Sequence, residues 1–409
     1  MNPYVIIGNS IASIGVIEGI RKTDKDTPIT IVSKELHPAY CRPLISYYLE
    51  GKAKLDNIGY RDSQFYQRNN VHVIYATATS IDPSTKIISL SDGNTIPYDK
   101  ACICTGSSPF IPPFAGLENV KEKYSFMTLD DALALEQALS PSSRVLIVGA
   151  GLIGLKCAEG IVERVSSITV TDLADRVLSS ILDHQCASMM QKTMEDHGIH
   201  FLLNNSVVSF EENLAHMKNG ETISFDVLVL AVGVRANTSL IKDIGGSINR
   251  GIIIDDHMCT SIEDIYAAGD CSEGYDITFN NHRVLAIMPN AYLQGETAGM
   301  NMANNDKAFT NAIPMNAIGF WGTHALSAGT YVGDMIEQKE ENALKRFYIK
   351  DGYLNGFILI NNTERAGIYT SLIRDHIPLE TIDFTMLTRL STSYAFKEEV
   401  RRKKFGGLV

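Results

Sequence analysis

The stretch Arg144-Val-Leu-Ile-Val-Gly149-Ala-Gly151-Leu-Ile-Gly154 decides how the rest of the chain is read. Val145 to Val148 is an apolar, β-branched run that is short enough for a buried strand, and helical periodicity starts at Leu152. A glycine turn between a strand and a helix is the setting in which G-x-G-x-x-G binds a dinucleotide. Gly149 permits the tight turn, and Gly151 has no side chain to block a pyrophosphate. Gly154 lets helix and strand pack closely, while Leu152 and Ile153 open a helix whose first N–H groups face the phosphates. The next strand, SSITVTD, closes on Asp172, 23 residues beyond Gly149. A carboxylate there accepts hydrogen bonds from free ribose hydroxyls and repels a 2′-phosphate, so NAD(H) is expected over NADP(H). The unit ends with FDVLVLAVG at Gly233.

Working outward, the same order occurs once before. YVIIG stops at Gly8, Ile11 to Ile20 is helically periodic, and ITIVS is a strand, which makes a βαβ start. Each copy continues into a hairpin, one turning at Asp92-Gly93 between Lys86–Leu90 and Ile96–Cys104, the other at Asn219-Gly220. Each copy then ends on a glycine-bearing turn, Thr105-Gly106 or Ala231-Val232-Gly233. Any α/β protein alternates strands and helices, but the shared order of glycine turn, acidic strand end, hairpin and terminal glycine indicates one architecture encoded twice. The first copy's motif, Gly8-Asn-Ser10-Ile-Ala12-Ser13, keeps only the first glycine. Ser10 can donate to a phosphate and still allow fairly close backbone approach. Glu35 is the ribose-carboxylate candidate, the alternative being a surface charge.

Composition limits the function. With 409 residues, 45% of them hydrophobic, the chain is long enough for two or three domains. A net charge of -11 argues against nucleic-acid binding and against docking on anionic membranes. No long apolar segment or leader-like N-terminus is read, so a cytoplasmic location is expected. The seven cysteines are scattered and imply no disulfide framework. His197-x-x-His200 is the only close histidine pair, it lacks accompanying cysteines, and no metal site is expected.

Thr260-Ser-Ile-Glu-Asp-Ile-Tyr-Ala-Ala-Gly269-Asp270, followed by the helical AYLQGETAGMNMA, resembles the second FAD signature of the pyridine nucleotide-disulfide reductase superfamily, the two-dinucleotide-binding flavoproteins. The Thr105-Gly106 and Ala231-Val232-Gly233 turns resemble its linking motifs, and the resemblance covers roughly residues 1 to 305. It implies FAD on the first unit, with Gly8, Ser10, Ala12, Glu35, Ala78, Thr105, Gly106 and Gly269 around it and Asp270 holding the ribityl chain. It implies NAD(H) at Gly149, Gly151, Leu152, Ile153, Gly154, Asp172 and Gly233. The segment AYCRPLIS is similar to one in rubredoxin and ferredoxin reductases whose arginine lies along the FAD, which makes Arg42 a candidate. Two positions depart from the pattern. Tyr47 stands where many relatives carry a lysine near the flavin, and Lys156 where many carry a glutamate.

The expected fold is α/β: a FAD domain (1–113 and 234–308), an inserted NAD(H) domain (114–233), both Rossmann-like, and a smaller α+β C-terminal domain (309–409). The last domain contains RFYIK, GFILI and a basic tail with Lys397, Arg401, Arg402, Lys403 and Lys404. That tail is either solvated or a patch that attracts an acidic partner. Trp321 either shields the flavin, with His324 nearby, or packs in a core, and Lys156, Trp321 and His324 are the candidate modulators. Cys41 has no close partner, so the redox pair of the disulfide reductases is missing. It is read as a buried thiol or, less strongly, as a single redox cysteine. The resemblance then implies hydride transfer between NAD(H) and FAD and single-electron exchange with a small iron-sulfur protein of rubredoxin or ferredoxin type. An NADH oxidase, a nitrite-linked NADH reductase and an NAD-responsive assembly flavoprotein stay open beside it. Self-association or a complex with a larger redox enzyme also stays open.

Overall fold

The computed structural model describes residues 2–364, 366–390 and 399. The chain forms two compact units. The first runs to Tyr275 and resumes over His282–Thr310, and the second holds Asp276–Asn281 and the residues from Asn311 on.

Within the first unit the two copies read in the sequence build matching layers. One five-stranded parallel sheet runs Ile265–Ala267, Ala101–Ile103, Tyr4–Ile7, Ile29–Ser33, Val71–Tyr75. The other runs Ile199–Leu202, Ser167–Thr171, Arg144–Val148, Val227–Leu230, Lys123–Tyr124, again all parallel. Strands sandwiched between helices are buried on both faces, which is why YVII and VLIV are continuous apolar runs with no alternation. Each sheet carries a three-stranded antiparallel satellite, Ala78–Asp82/Ile87–Leu90/Thr95–Pro97 and Val207–Glu211/Leu214–Met217/Thr222–Ser224.

The segment expected as one strand, Ile96–Cys104, is split. Thr95–Pro97 stays in the satellite and Ala101–Ile103 joins the parallel sheet. Between them the Tyr98 N–H bonds Lys86 O at 3.0 Å and the Asp99 N–H bonds Pro3 O at 3.0 Å, so the chain changes partners within two residues. The helices Ile11–Thr23 and Met288–Met302 pack backbone to backbone. A Cβ on Gly15 or Gly19 would lie 2.4 or 2.2 Å from the Tyr292 or Glu296 carbonyl oxygen, and one on Gly295 or Gly299 would lie 2.1 Å from that of Ala12 or Val16.

The second unit is an antiparallel sheet in the order Met315–Phe320, Thr323–Gly329, Tyr353–Ile360, Leu344–Lys350, Asp334–Lys339. Its core gathers Phe347, Phe357, Tyr369 and Leu372 between the sheet and the helix Ala366–Arg374. RFYIK and GFILI lie in two of these strands. The five basic tail residues fall outside the described residues. No described helix is long and apolar enough to cross a membrane.

Candidate functional site

The second glycine turn has the geometry its sequence requires. Gly149 has φ 118°, and a Cβ there would lie 2.2 Å from the Ala231 carbonyl oxygen, so only glycine fits. A Cβ on Gly154 would lie 2.1 Å from the Gly149 oxygen. Gly151 caps the helix Leu152–Ile161, and no atom lies within 4 Å of where its Cβ would be, which leaves the open approach a pyrophosphate needs. The Asp172 carboxylate sits over this turn, accepting from Ala150 N–H at 2.6 Å and Ala174 N–H at 2.8 Å. Gly233 follows the last strand with φ 105°.

The first turn reaches the same form by other means. Gly8 has φ 115°, and its missing Cβ would meet the Cys104 oxygen at 2.1 Å. Ser13, at the third motif position, donates from Oγ to Gly8 O at 2.7 Å and accepts from Ser10 N–H at 3.4 Å. Ser10 precedes the helix Ile11–Thr23 as its cap. Gly269, with φ 82°, lies against Ala12, to whose Cβ a side chain would come within 3.1 Å. The Gly269 N–H is held by Gln294 Oε1 at 2.9 Å, so the Met288–Met302 helix fixes the turn that presents Asp270. Burial raises the Asp270 carboxyl pKa above the usual range, while Arg42 and a 3.4 Å bond from Ser107 Oγ pull it down. A carboxylate so poorly supplied with donors suits a ligand hydroxyl. Ala78 opens the first satellite and packs on the same core.

Glu35, Tyr40 and Arg42 form one cluster. Tyr40 Oη donates to Glu35 Oε2 at 2.7 Å, Arg42 pairs with Glu35 Oε1, and Arg42 Nη1 reaches Met127 O at 3.0 Å. Each ribose-candidate carboxylate is followed by a leucine left in water, Leu36 at 72% and Leu173 at 71% exposure. Thr105 and Gly106 are clamped by Asn237, which sequence reasoning passed over. Its Nδ2 donates to Thr105 O at 2.8 Å, its N–H donates to Gly106 O at 2.9 Å, and its own carbonyl accepts from Thr105 Oγ1 at 2.8 Å. Beside it Ser107–Pro109 and Val234–Ala236 pair antiparallel, so the two chain passages between the sheets form one ribbon. No sequence motif marks Asn237. Its place just after the Gly233 turn is the one signal that could have found it.

The two departures in the sequence turn out to be neighbours. Lys156 Nζ lies 5.3 Å from the Tyr47 ring centroid and 2.5 Å from Glu159 Oε2, so the cation comes from the helix of the second turn. Cys102 and Cys104 are buried with their sulfurs 3.7 Å apart, and burial holds the Cys102 thiol well above its ordinary pKa. Cys41 is half-buried and its thiol is also pushed up by burial. Trp321 and Gly322 form the turn of a tight hairpin in the second unit, both with positive φ (43° and 85°), and His324 is exposed on the following strand. His197 caps a helix and bonds Thr193 O at 2.7 Å, while His200 lies on the next strand. His257, which sequence reasoning also missed, is clasped by Asp256 at 2.7 Å and Asp306 at 2.8 Å, one carboxylate on each ring nitrogen.

The chain is 32% identical over 386 residues to the NADH-dependent phenylglyoxylate dehydrogenase subunit epsilon of Aromatoleum evansii, spanning 90% of this chain and 91% of that one. It is 29% identical over 341 residues to the NADH-rubredoxin oxidoreductase of Clostridium acetobutylicum, covering 83% and 84%. Against the assimilatory nitrate reductase electron transfer subunit and the nitrite reductase of Bacillus subtilis it spans 49% and 44% of the relative's length. Putidaredoxin reductase, solved in covalent complex with putidaredoxin, shares the fold with a TM-score of 0.87 at 22% identity over 96% of this chain and 97% of that one. The family model for pyridine nucleotide-disulphide oxidoreductases matches residues 2–295, and the chain belongs to that family.

Proposed function

We propose that this protein is an FAD-dependent NADH oxidoreductase that delivers electrons to a small iron-sulfur carrier protein. The observation that carries the proposal is the pair of glycine turns, each with its own carboxylate, joined by the single ribbon beside Asn237. When bound, the flavin accepts a hydride and releases electrons one at a time. The protein's residues bind and orient. Gly8, Ser10 and the first helix hold the FAD pyrophosphate, Glu35 and Arg42 its ribose end, and Asp270 its ribityl hydroxyls, with Thr105 and Gly106 set beside them by Asn237. Gly149, Gly151 and the helix Leu152–Ile161 hold the NADH pyrophosphate, and Asp172 its ribose. Leu36 and Leu173 offer an apolar surface beside each ribose carboxylate, which suits an adenine ring and accounts for large aliphatic side chains left in water. Lys156 brings positive charge to the seam between the two helices that follow Arg42 and Gly151.

The similarity to NADH-rubredoxin oxidoreductase supports a rubredoxin or ferredoxin as acceptor. The relative named as subunit epsilon of a larger dehydrogenase supports a second arrangement, in which the chain serves as the NADH-linked subunit of a larger redox enzyme. The test is a steady-state assay with NADH against rubredoxin, ferredoxin and O2. Reduction of an iron-sulfur protein well above O2 consumption is the expected result. Turnover with O2 alone would make the protein an oxidase, and flavin reduction by NADH without turnover on any acceptor would favour the assembly role.

A further inference from the structure

Tyr40 lies in the loop after the strand Ile29–Ser33 and is 5% exposed. A phenol has one proton to give and two lone pairs to fill, and here all three are used. Tyr40 Oη donates to Glu35 Oε2 at 2.7 Å, accepts from Arg42 Nη1 at 3.2 Å, and accepts from the Leu129 N–H at 2.8 Å. Burial raises its pKa, which keeps the donated proton in place. Leu129 is the first residue of the helix Leu129–Ala138, which joins the strands Lys123–Tyr124 and Arg144–Val148 of the second sheet, and its N–H belongs to the first turn, where no partner exists within the helix. Thr128 accepts from the Asp131 N–H at 3.0 Å, and the Leu129 N–H is satisfied by a residue nearly ninety positions earlier. The same helix is tied to the first copy twice more, by His37 to Asp130 at 2.8 Å and by Tyr48 Oη to Glu136 at 2.6 Å.

We propose that Tyr40 is a positioning residue for hydride transfer: through its one hydroxyl it ties Glu35, the ribose-end carboxylate of the first cradle, to the first turn of the helix Leu129–Ala138, which leads into the second cradle's first strand and whose Glu136 pairs at 2.6 Å with Arg164, just past the second cradle's helix. Seating the first cofactor and setting the second against it are thereby linked. Tyr40 touches no reacting atom. Its contribution is the distance and angle at which two separately bound rings meet, a quantity for which a displacement of about 1 Å costs on the order of 10²-fold in rate. The proposal rests on the cofactor assignment above.

Tyr40→Phe keeps the ring and removes only the hydroxyl. In anaerobic stopped-flow mixing of the FAD-loaded protein with NADH, the variant is expected to keep its NADH dissociation constant within about twofold, because Asp172 and its turn are untouched, while the limiting rate of flavin reduction falls about tenfold or more. The charge-transfer absorbance formed when NAD+ is added to the reduced protein should fall with it. Asp130→Asn weakens a second tie without touching Glu35, so it should lower the same rate by a smaller factor at unchanged FAD affinity. A full reduction rate with unchanged charge-transfer absorbance in Tyr40→Phe would overturn the proposal, as would loss of FAD from Tyr40→Phe with an unaltered rate in Asp130→Asn. Failure of NADH to reduce the wild-type protein would instead overturn the proposed function, so the two failures are distinguishable.

Discussion

The two glycine turns hold the same backbone shape with different side chains. In the second, the third motif position tolerates only hydrogen, since a Cβ on Gly154 would lie 2.1 Å from the Gly149 oxygen. In the first, that position holds a buried serine whose hydroxyl bonds the corresponding oxygen, Gly8 O, at 2.7 Å. Close approach has not been given up there but moved along the helix, to Gly15 and Gly19 facing Gly295 and Gly299. A fingerprint of glycines therefore records where backbones touch, and a second helix crossing the first can shift that contact by a turn. In the second copy the helix Leu152–Ile161 is approached instead at Gly160, where a Cβ would lie 2.9 Å from Ser46 O.

Exchanging the two solutions tests this difference. Gly154→Ser writes the first turn's residue into the second and forces an atom into the Gly149 oxygen. It is expected to cost about 1–3 kcal/mol, read as NADH binding about 5- to 150-fold weaker by equilibrium titration with FAD content unchanged. Unchanged NADH affinity would mean that the second turn has slack the structure does not show.

Asp270→Asn acts on the first cradle, in two directions. Burial raises the folded carboxyl pKa above its unfolded value, so Asp270 detracts from apo-protein stability as pH rises out of the ordinary carboxylate range, until the folded group is itself ionised. The amide removes that loss, and apo-protein melts should show Asp270→Asn more stable than wild type at neutral pH, with the gap closing as pH falls below the carboxylate range. FAD retention should weaken by about 1.5–3 kcal/mol, the usual worth of a hydrogen bond to a charged group, as measured by dialysis. An apo-protein gap that does not change with pH would separate Asp270 from this titration.

Ser13→Gly, the reverse exchange, should have the smallest effect. It removes the hydroxyl's bond to Gly8 O at 2.7 Å and its long 3.4 Å bond from the Ser10 N–H, and adds a helical glycine, together about 1–2 kcal/mol, read as a lower unfolding midpoint with FAD still bound. A loss of FAD as complete as that caused by disrupting Gly8 would show that the hydroxyl touches the cofactor and does more than brace the turn.

How much could be read beforehand follows the same division. Gly149 to Gly154 and Asp172 were legible because their constraints are local, each set by a neighbour in the same strand-turn-helix unit. Glu35 was legible only through its place at the end of a repeated strand. Tyr40, Asn237 and the four helix glycines were not, because each acts on backbone far away in sequence: the Leu129 N–H, the Thr105 and Gly106 carbonyls, the facing helix. Ile96–Cys104 was read as one strand because Tyr98 is apolar enough to continue the run, whereas its N–H still pairs inside the satellite, to Lys86, and the next, that of Asp99, already bonds Pro3. Trp321 drew attention as an aromatic between glycines, and a tight turn with positive φ explains that setting without reference to a cofactor.

The most direct test of two cofactors on two separate cradles is anaerobic reduction of the bound flavin by NADH and by NADPH, in the wild-type protein and in Asp172→Ser. NADH should bleach the wild-type flavin much faster than NADPH, because Asp172 accepts from free ribose hydroxyls and repels a 2′-phosphate. In Asp172→Ser the preference should narrow about tenfold or more, the worth of one charge-assisted hydrogen bond, with flavin content unchanged. Equal rates for NADH and NADPH in the wild-type protein, or loss of flavin from Asp172→Ser, would contradict the assignment.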